Sequence, residues 1–157
     1  MIGIKMIVVG KTKESWIKEG ISHYQKLLKK FAELKLVEIR EEKITGSKDQ
    51  KAILENEADK ILTCLEKSRL CIVLDVKGEN QSSESFAKFF EENLNRGYHE
   101  FTFILGGALG LSKKVLDVCP VKLSLSQMTF THEMSRVILL EQIYRAFSIL
   151  KRTKYHK

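Results

Sequence analysis

Proline occurs once in the 157 residues, at Pro120, so nothing divides the chain into pieces by proline-rich linkers. Nor is there an internal repeat, a low-complexity segment or a composition shift that would mark a second domain. The three cysteines, Cys64, Cys71 and Cys119, are odd in number and far apart, which argues against a disulfide framework and for a reduced, cytosolic protein. No C-x-x-C exists, and His23, His99, His132 and His156 lack metal-ligand spacing, so no metal site is expected. No apolar run approaches the roughly 18 residues of a membrane helix, so no membrane partner is expected. The opening MIGIKMIVVGK has neither a basic leader nor a small-residue cleavage site, and it suits a first strand better than a signal peptide. Gly10-Lys11-Thr12 resembles the end of a phosphate-binding loop, but Lys5 stands where that motif needs its first glycine. Ser124 and Ser126 sit outside any nucleophile-elbow motif, which argues against a hydrolase.

What is present is basic charge, a net +7. That suits either a polyanionic partner such as nucleic acid or a merely soluble basic protein. Hydrophobic content of 43% is ordinary for a globular domain, and the length favours one domain, 1–157, with a real core.

Strands and helices alternate along the chain. Ile2–Val9 is a strand that becomes continuously apolar. From Glu14 to Phe31, the residues Ile17, Ile21, Tyr24, Leu28 and Phe31 share one helical face. Leu34–Arg40 is a second strand. Ser47 with Gln50 predicts a capping box for a helix that carries Leu54, Ala58, Ile61 and Leu65. Leu70–Val76 is a third strand, ended by a turn at Asp75, Lys77 and Gly78. Ser82 or Ser83 starts a helix with Phe86, Phe90 and Leu94, closed at Asn95-Arg96-Gly97. Phe101–Leu105 is a buried strand that stops at Gly106-Gly107, and Val121–Ser126 is a last strand, with Ser112–Val118 between them. This order predicts an α/β fold with a mainly parallel five-stranded sheet flanked by helices. Two strand ends bearing small, polar or glycine-rich loops place a ligand site at the carboxyl edge of that sheet. The cluster Gly106-Gly107-Ala108-Leu109-Gly110 is not the spaced dinucleotide fingerprint. It suits a neutral or cationic ligand held by backbone groups, such as S-adenosylmethionine.

The last helix, about Glu133–Leu150, is apolar around more than one stripe. Its two faces are met either by the sheet and a second subunit or by burial inside one chain. Past Glu141 no acidic residue remains, and Arg145, Lys151, Arg152, Lys154 and Lys157 follow with Tyr155 and His156 among them. Such a tail either contacts RNA phosphates and an unstacked base or simply frays.

The ordered elements LDVKG, FILGGALGL, LSLSQMTFTHEMSRVILLEQIYRAF and a terminal YHK, with VVGKTKE near the start, resemble the RlmH family, a short branch of the SPOUT methyltransferases. The resemblance covers essentially the whole chain. It implies an S-adenosylmethionine-dependent homodimer that methylates N3 of a pseudouridine in 23S ribosomal RNA on assembled ribosomes. It also implies a deep trefoil knot in the C-terminal part. The cofactor would meet Leu74, Gly106 and the loop Leu125, Ser126, Gln127, Met128, Thr129 and Phe130. For catalysis the resemblance points to His156, Tyr155, Arg136 and His132. His132 either takes the N3 proton or only starts the helix; Arg136 either favours the base anion or forms a structural ion pair; Tyr155 either stacks on the base or packs on a partner subunit. Lys11, Arg145, Arg152, Lys154 and Lys157 are the expected RNA contacts, and the tail of one subunit would complete the site of the other. Leu109, Thr131 and Lys154 depart from the usual pattern of the family, where a polar or acidic residue and two prolines are common. A SPOUT enzyme on another RNA, or a non-catalytic ribosome-binding protein of the same fold, are the alternatives.

Overall fold

The computed structural model describes residues 1–43, 45–46 and 49–151. In chain order the elements are β1 (Ile2–Val9), α1 (Ser15–Leu28), β2 (Ala32–Ile39), α2 (Gln50–Thr63), β3 (Leu70–Asn80), α3 (Ser83–Asn95), β4 (Glu100–Leu105), α4 (Lys113–Val118), β5 (Val121–Ser124) and α5 (His132–Leu150). The five strands form one sheet in the order β2-β1-β4-β3-β5, and every pairing is parallel. Parallel strands joined by crossover helices are covered on both faces. The two central strands, β1 and β4, are accordingly buried along most of their length. Along β1 the side chains alternate. Ile4, Met6 and Val8 join a large core with α1, α3 and α5, while Ile7 and Val9 join a smaller one with α2 and α4. Because all strands run the same way, all their carboxyl ends meet at one edge.

Helix α5 packs between α1 and α3, and none of residues 132–150 is exposed. Both apolar faces are therefore met largely within the chain, so the breadth of its apolar surface is no longer by itself an argument for a second subunit. The Phe90 ring lies 4.9 Å from that of Phe147 and 5.0 Å from that of Phe101, joining α3, α5 and β4.

Two local expectations are corrected and one unassigned segment is defined. The N-cap of α2 is Asp49, whose carboxylate accepts from the Lys51 N–H at 3.1 Å; Ser47 lies outside the described residues. The Ser112–Val118 segment is a short helix, started by the Ser112 hydroxyl, which accepts from the Lys114 N–H at 3.1 Å. Most consequentially, Asp75–Gly78 does not end β3. Leu74 and Glu79 both pair with Leu123, so residues 75–78 arch over β5 and the strand resumes beyond it. Gly78 lies so close that a Cβ there would sit 2.7 Å from the carbonyl carbon of Leu123 and 2.8 Å from its nitrogen.

The cysteines also differ from expectation. Cys71 and Cys119, 48 residues apart, are joined as a disulfide with their Cα atoms 5.1 Å apart, and Cys64 is free. Spacing hid this pair because β3 and the end of α4 become neighbours only through the sheet.

At the amino edge of the sheet, Lys5 is 4% exposed and donates to the Cys64 carbonyl at 3.2 Å and to the Glu66 carboxylate. Glu66 also accepts from Arg69 Nε at 3.0 Å, and Arg69 pairs in turn with Glu100. Hydrogen bonds from Lys5, then Arg69, lower the Glu66 carboxyl from its ordinary 4.5 to about 2. A depressed carboxylate stabilises the fold above its unfolded value, and that contribution fades as pH falls from about 4.5 towards about 2. Urea midpoints of the wild type and of Glu66→Gln should therefore differ at pH 6, draw closer by pH 3 and meet only near pH 2 or below. A gap that stays constant across this range would remove Glu66 as its source.

Candidate active site at the carboxyl edge

A cavity of about 720 Å³ opens at the carboxyl edge, between the ends of β3, β4 and β5 and the first turns of α1 and α5. Its size is that of a small-molecule site. The wall from β4 is the loop Gly106–Leu111. There the Gly110 N–H donates to the Gly107 carbonyl at 3.1 Å, closing a tight turn with Gly110 at φ 79°. A Cβ on Gly106 would meet the Gly110 carbonyl oxygen at 2.6 Å, so only glycine fits where the strand gives way to this turn.

The facing wall is the loop after β5. Ser124 Oγ donates to the Ser126 carbonyl at 3.0 Å, and Ser126 Oγ accepts from the Met128 N–H at 3.0 Å. Short hydroxyl side chains thus shape the loop locally. Thr131 ends it by capping α5, its hydroxyl accepting from the Met134 N–H at 3.2 Å.

The rim nearest β1 is held from α5. Helix α1 has no side-chain cap of its own. Instead the Glu133 carboxylate accepts from the Lys13 N–H at 2.7 Å and the Glu14 N–H at 3.1 Å, serving amides that α1 leaves unpaired. Burial raises the Glu133 pKa, but these two bonds and the charges of Arg136 and His132 outweigh it, and the net shift is downward. One turn later, Arg136 is fully buried. It donates to the Val9 carbonyl at 2.8 Å, the Gly10 carbonyl at 2.9 Å and Thr12 Oγ1 at 2.8 Å. The first turn of α5 therefore grips the end of β1 and the start of α1 together.

The charge of the lining is one-sided. Glu14, Asp75 and Glu133 contribute carboxylates, and among the described residues no lysine or arginine lines the cavity. Leu74, Leu105, Leu109, Leu111, Leu116, Leu123 and Leu125 supply apolar surface. Such a cavity suits an amphipathic ligand carrying positive charge.

The sequence family model described as "Predicted SPOUT methyltransferase" matches residues 2–156. The chain belongs to the SPOUT methyltransferase family. These enzymes take their methyl group from S-adenosylmethionine. It is 46% identical to the Ribosomal RNA large subunit methyltransferase H of Halothermothrix orenii, over 98% of this chain and 99% of that protein. The protein of the same name from Carboxydothermus hydrogenoformans is 43% identical over the same shares. Among solved structures, a probable methylase family protein from Haemophilus influenzae Rd KW20 shares the fold, with a TM-score of 0.56 at 15% identity, covering 98% of this chain and 70% of that one.

In this SPOUT methyltransferase the cavity brings together seven of the eight residues expected at the cofactor: Leu74, Gly106, Leu125, Ser126, Met128, Thr129 and Phe130. Gln127 is exposed and lies outside the lining. His132, the first residue of α5, is half-buried and lines the cavity. Arg136 does not; its terminal nitrogens are engaged in the bracket just described. Arg145 lies along α5, its Nε bonded to Glu141 at 3.0 Å, and is likewise away from the cavity. Lys11 is exposed on the loop after β1, at the same edge. Arg152, Lys154, Tyr155, His156 and Lys157 lie outside the described residues. Glu14, Trp16, Asp75 and Glu133 line the cavity without having been anticipated. The available signal was topological: a parallel sheet brings the end of β1 and the start of α1 to the same edge as the ends of β3, β4 and β5.

Proposed function

We propose that this protein binds S-adenosylmethionine in the carboxyl-edge cavity and methylates N3 of a pseudouridine in 23S ribosomal RNA. Identity of 46% along the whole length to a protein named for large-subunit ribosomal RNA methylation supports the substrate class. The observation that carries the cofactor's placement is the lining itself, with apolar walls, three carboxylates and a glycine turn too tight for any Cβ at Gly106. Leu74, Gly106 and the loop Leu125–Phe130 would hold the cofactor, with Gln127 a contact only if the loop adjusts. When bound, S-adenosylmethionine supplies a methyl group on a positively charged sulfur.

The residues of the chain have two tasks. One is to orient the attacking nitrogen, since alignment accounts for much of such a rate enhancement. The other is to receive the N3 proton. Among the described residues His132 lines the cavity and can act as that base; His156 of the tail is the other candidate. The homodimer belongs to the same proposal. Met134, Ile138 and Ile149 of α5 remain half-buried, a partly covered apolar stripe suited to a second copy. So do a substrate presented on assembled ribosomes, a cytoplasmic location and the threading of β5 through the chain as a trefoil knot. The arch of residues 75–78 over β5 supports that threading.

Calorimetric titration with S-adenosylmethionine tests the site. The wild type should bind saturably. Leu125→Arg should bind at least ~100-fold more weakly with its circular dichroism unchanged, because a long cationic side chain would fill the cavity and repel a positively charged ligand. Methyl transfer to ribosomes, with the modified nucleotide mapped, tests the reaction. Binding that survives the arginine would move the cofactor elsewhere, and transfer to a different RNA would change the substrate.

A further inference from the structure

Four exposed large apolar side chains line this one cavity: Trp16 at 53% exposure, Val76 at 75%, Met128 at 77% and Phe130 at 36%. Isolated exposed apolar residues are ordinary, but a group around a cavity mouth marks a contact surface. Met128 and Phe130 belong to the loop already assigned to the cofactor. Trp16 stands in the first turn of α1, an element that supplies none of the residues proposed to hold the cofactor.

Its position is firmly set. The next residue, Ile17, is 1% exposed and sits in the core. Just before it, the Lys13 and Glu14 amides are tied to Glu133. The chain is thus fixed on both sides of a half-exposed indole, and the fold does not use that exposed surface. Lys11, five residues earlier on the loop that leads into α1, is exposed and adds positive charge to the same stretch of chain.

We propose that Trp16 is a stacking platform for the target nucleobase, a positioning residue for the methyl transfer, with Lys11 close enough in the chain to meet an adjoining phosphate. The proposal rests on the reading of the protein as an RNA methyltransferase. A base whose ring nitrogen must enter a cavity has to leave its own stack first, and an aromatic face at the mouth replaces the lost contact. An indole also suits a flat ligand better than an aliphatic side chain of similar area, because the interaction is with a π-face.

The test compares Trp16→Phe, Trp16→Leu and Trp16→Ala. Each should keep its cofactor affinity by calorimetry and the oligomeric mass of the wild type. With ribosomes as substrate, alanine and leucine should raise KM by roughly five- to 100-fold, while phenylalanine should restore most of the loss. If leucine restores as well as phenylalanine, the role is packing and the proposal is overturned. A parallel loss of cofactor affinity, or a change of mass, overturns it too. If the wild type transfers no methyl group to ribosomes, the functional reading fails, and stacking is then judged separately. Trp16 is the only tryptophan in the chain, so protein emission reports on it alone. Quenching by a protein-free, single-stranded RNA rich in uridine supports the platform, and unchanged emission under saturating RNA refutes it.

Discussion

Arg136→Met should destabilise the protein by several kcal/mol, since each buried acceptor left unsatisfied costs about 1–3 kcal/mol. The substitution keeps most of the volume and removes the donors. It leaves the carbonyls of Val9 and Gly10 and the hydroxyl of Thr12 without their partner, inside the fold. Arg136→Lys should recover only part of the loss, since an ammonium lacks the planar fork that reaches three acceptors at once. Urea midpoints measure this directly. A guanidinium acting only on the reaction would leave the midpoint unchanged while lowering kcat. The structure requires the opposite order of effects, with stability lost first.

Gly78→Ala should also destabilise the protein. Its added methyl would lie 2.7–2.8 Å from backbone atoms of Lys122 and Leu123, and a backbone held in a sheet cannot rotate away as a side chain can. Overpacking of this kind costs about 1–3 kcal/mol, and occasionally more. The arch of residues 75–78 and β5 would have to separate. Leu123 and Leu125 would move with β5, so cofactor affinity should fall together with the urea midpoint. An alanine variant with the wild-type midpoint would show that the arch is looser than this contact implies.

The hydrophobic period made the sheet legible. Ile2–Val9 is a strand throughout, and the Ser82 cap and the Arg96-Gly97 close of α3 lie where serine and glycine suggest. So was the edge that carries the site, because two glycine- and serine-bearing strand ends lie close in sequence. What escaped was everything set by contacts between distant segments. Asp75-Val76-Lys77-Gly78 has the composition of a strand-ending turn, and nothing local reports that β5 will lie beneath it. Arg136 has the residue type of an anion-stabilising group, and only three-dimensional packing reveals that its donors go to β1. The apolar excess on α5 was visible, but whether α3 or another molecule covered it depended on the crossing of three helices. Cys71 and Cys119 likewise meet only once the sheet exists.

The strand order also has a consequence in time. β2, β1, β4 and β3 are contiguous in the sheet, and all four are complete by Leu105. A chain emerging from its own synthesis can therefore assemble four-fifths of the sheet while β5, its loop and α5 are still unmade. Those late segments supply one wall of the cavity and the bracket for another, and β5 must enter a slot that the arch of residues 75–78 has already outlined. The newborn protein is thus a scaffold first and a binder last. Binding competence therefore waits on β5 and α5, the last elements of the chain to be made.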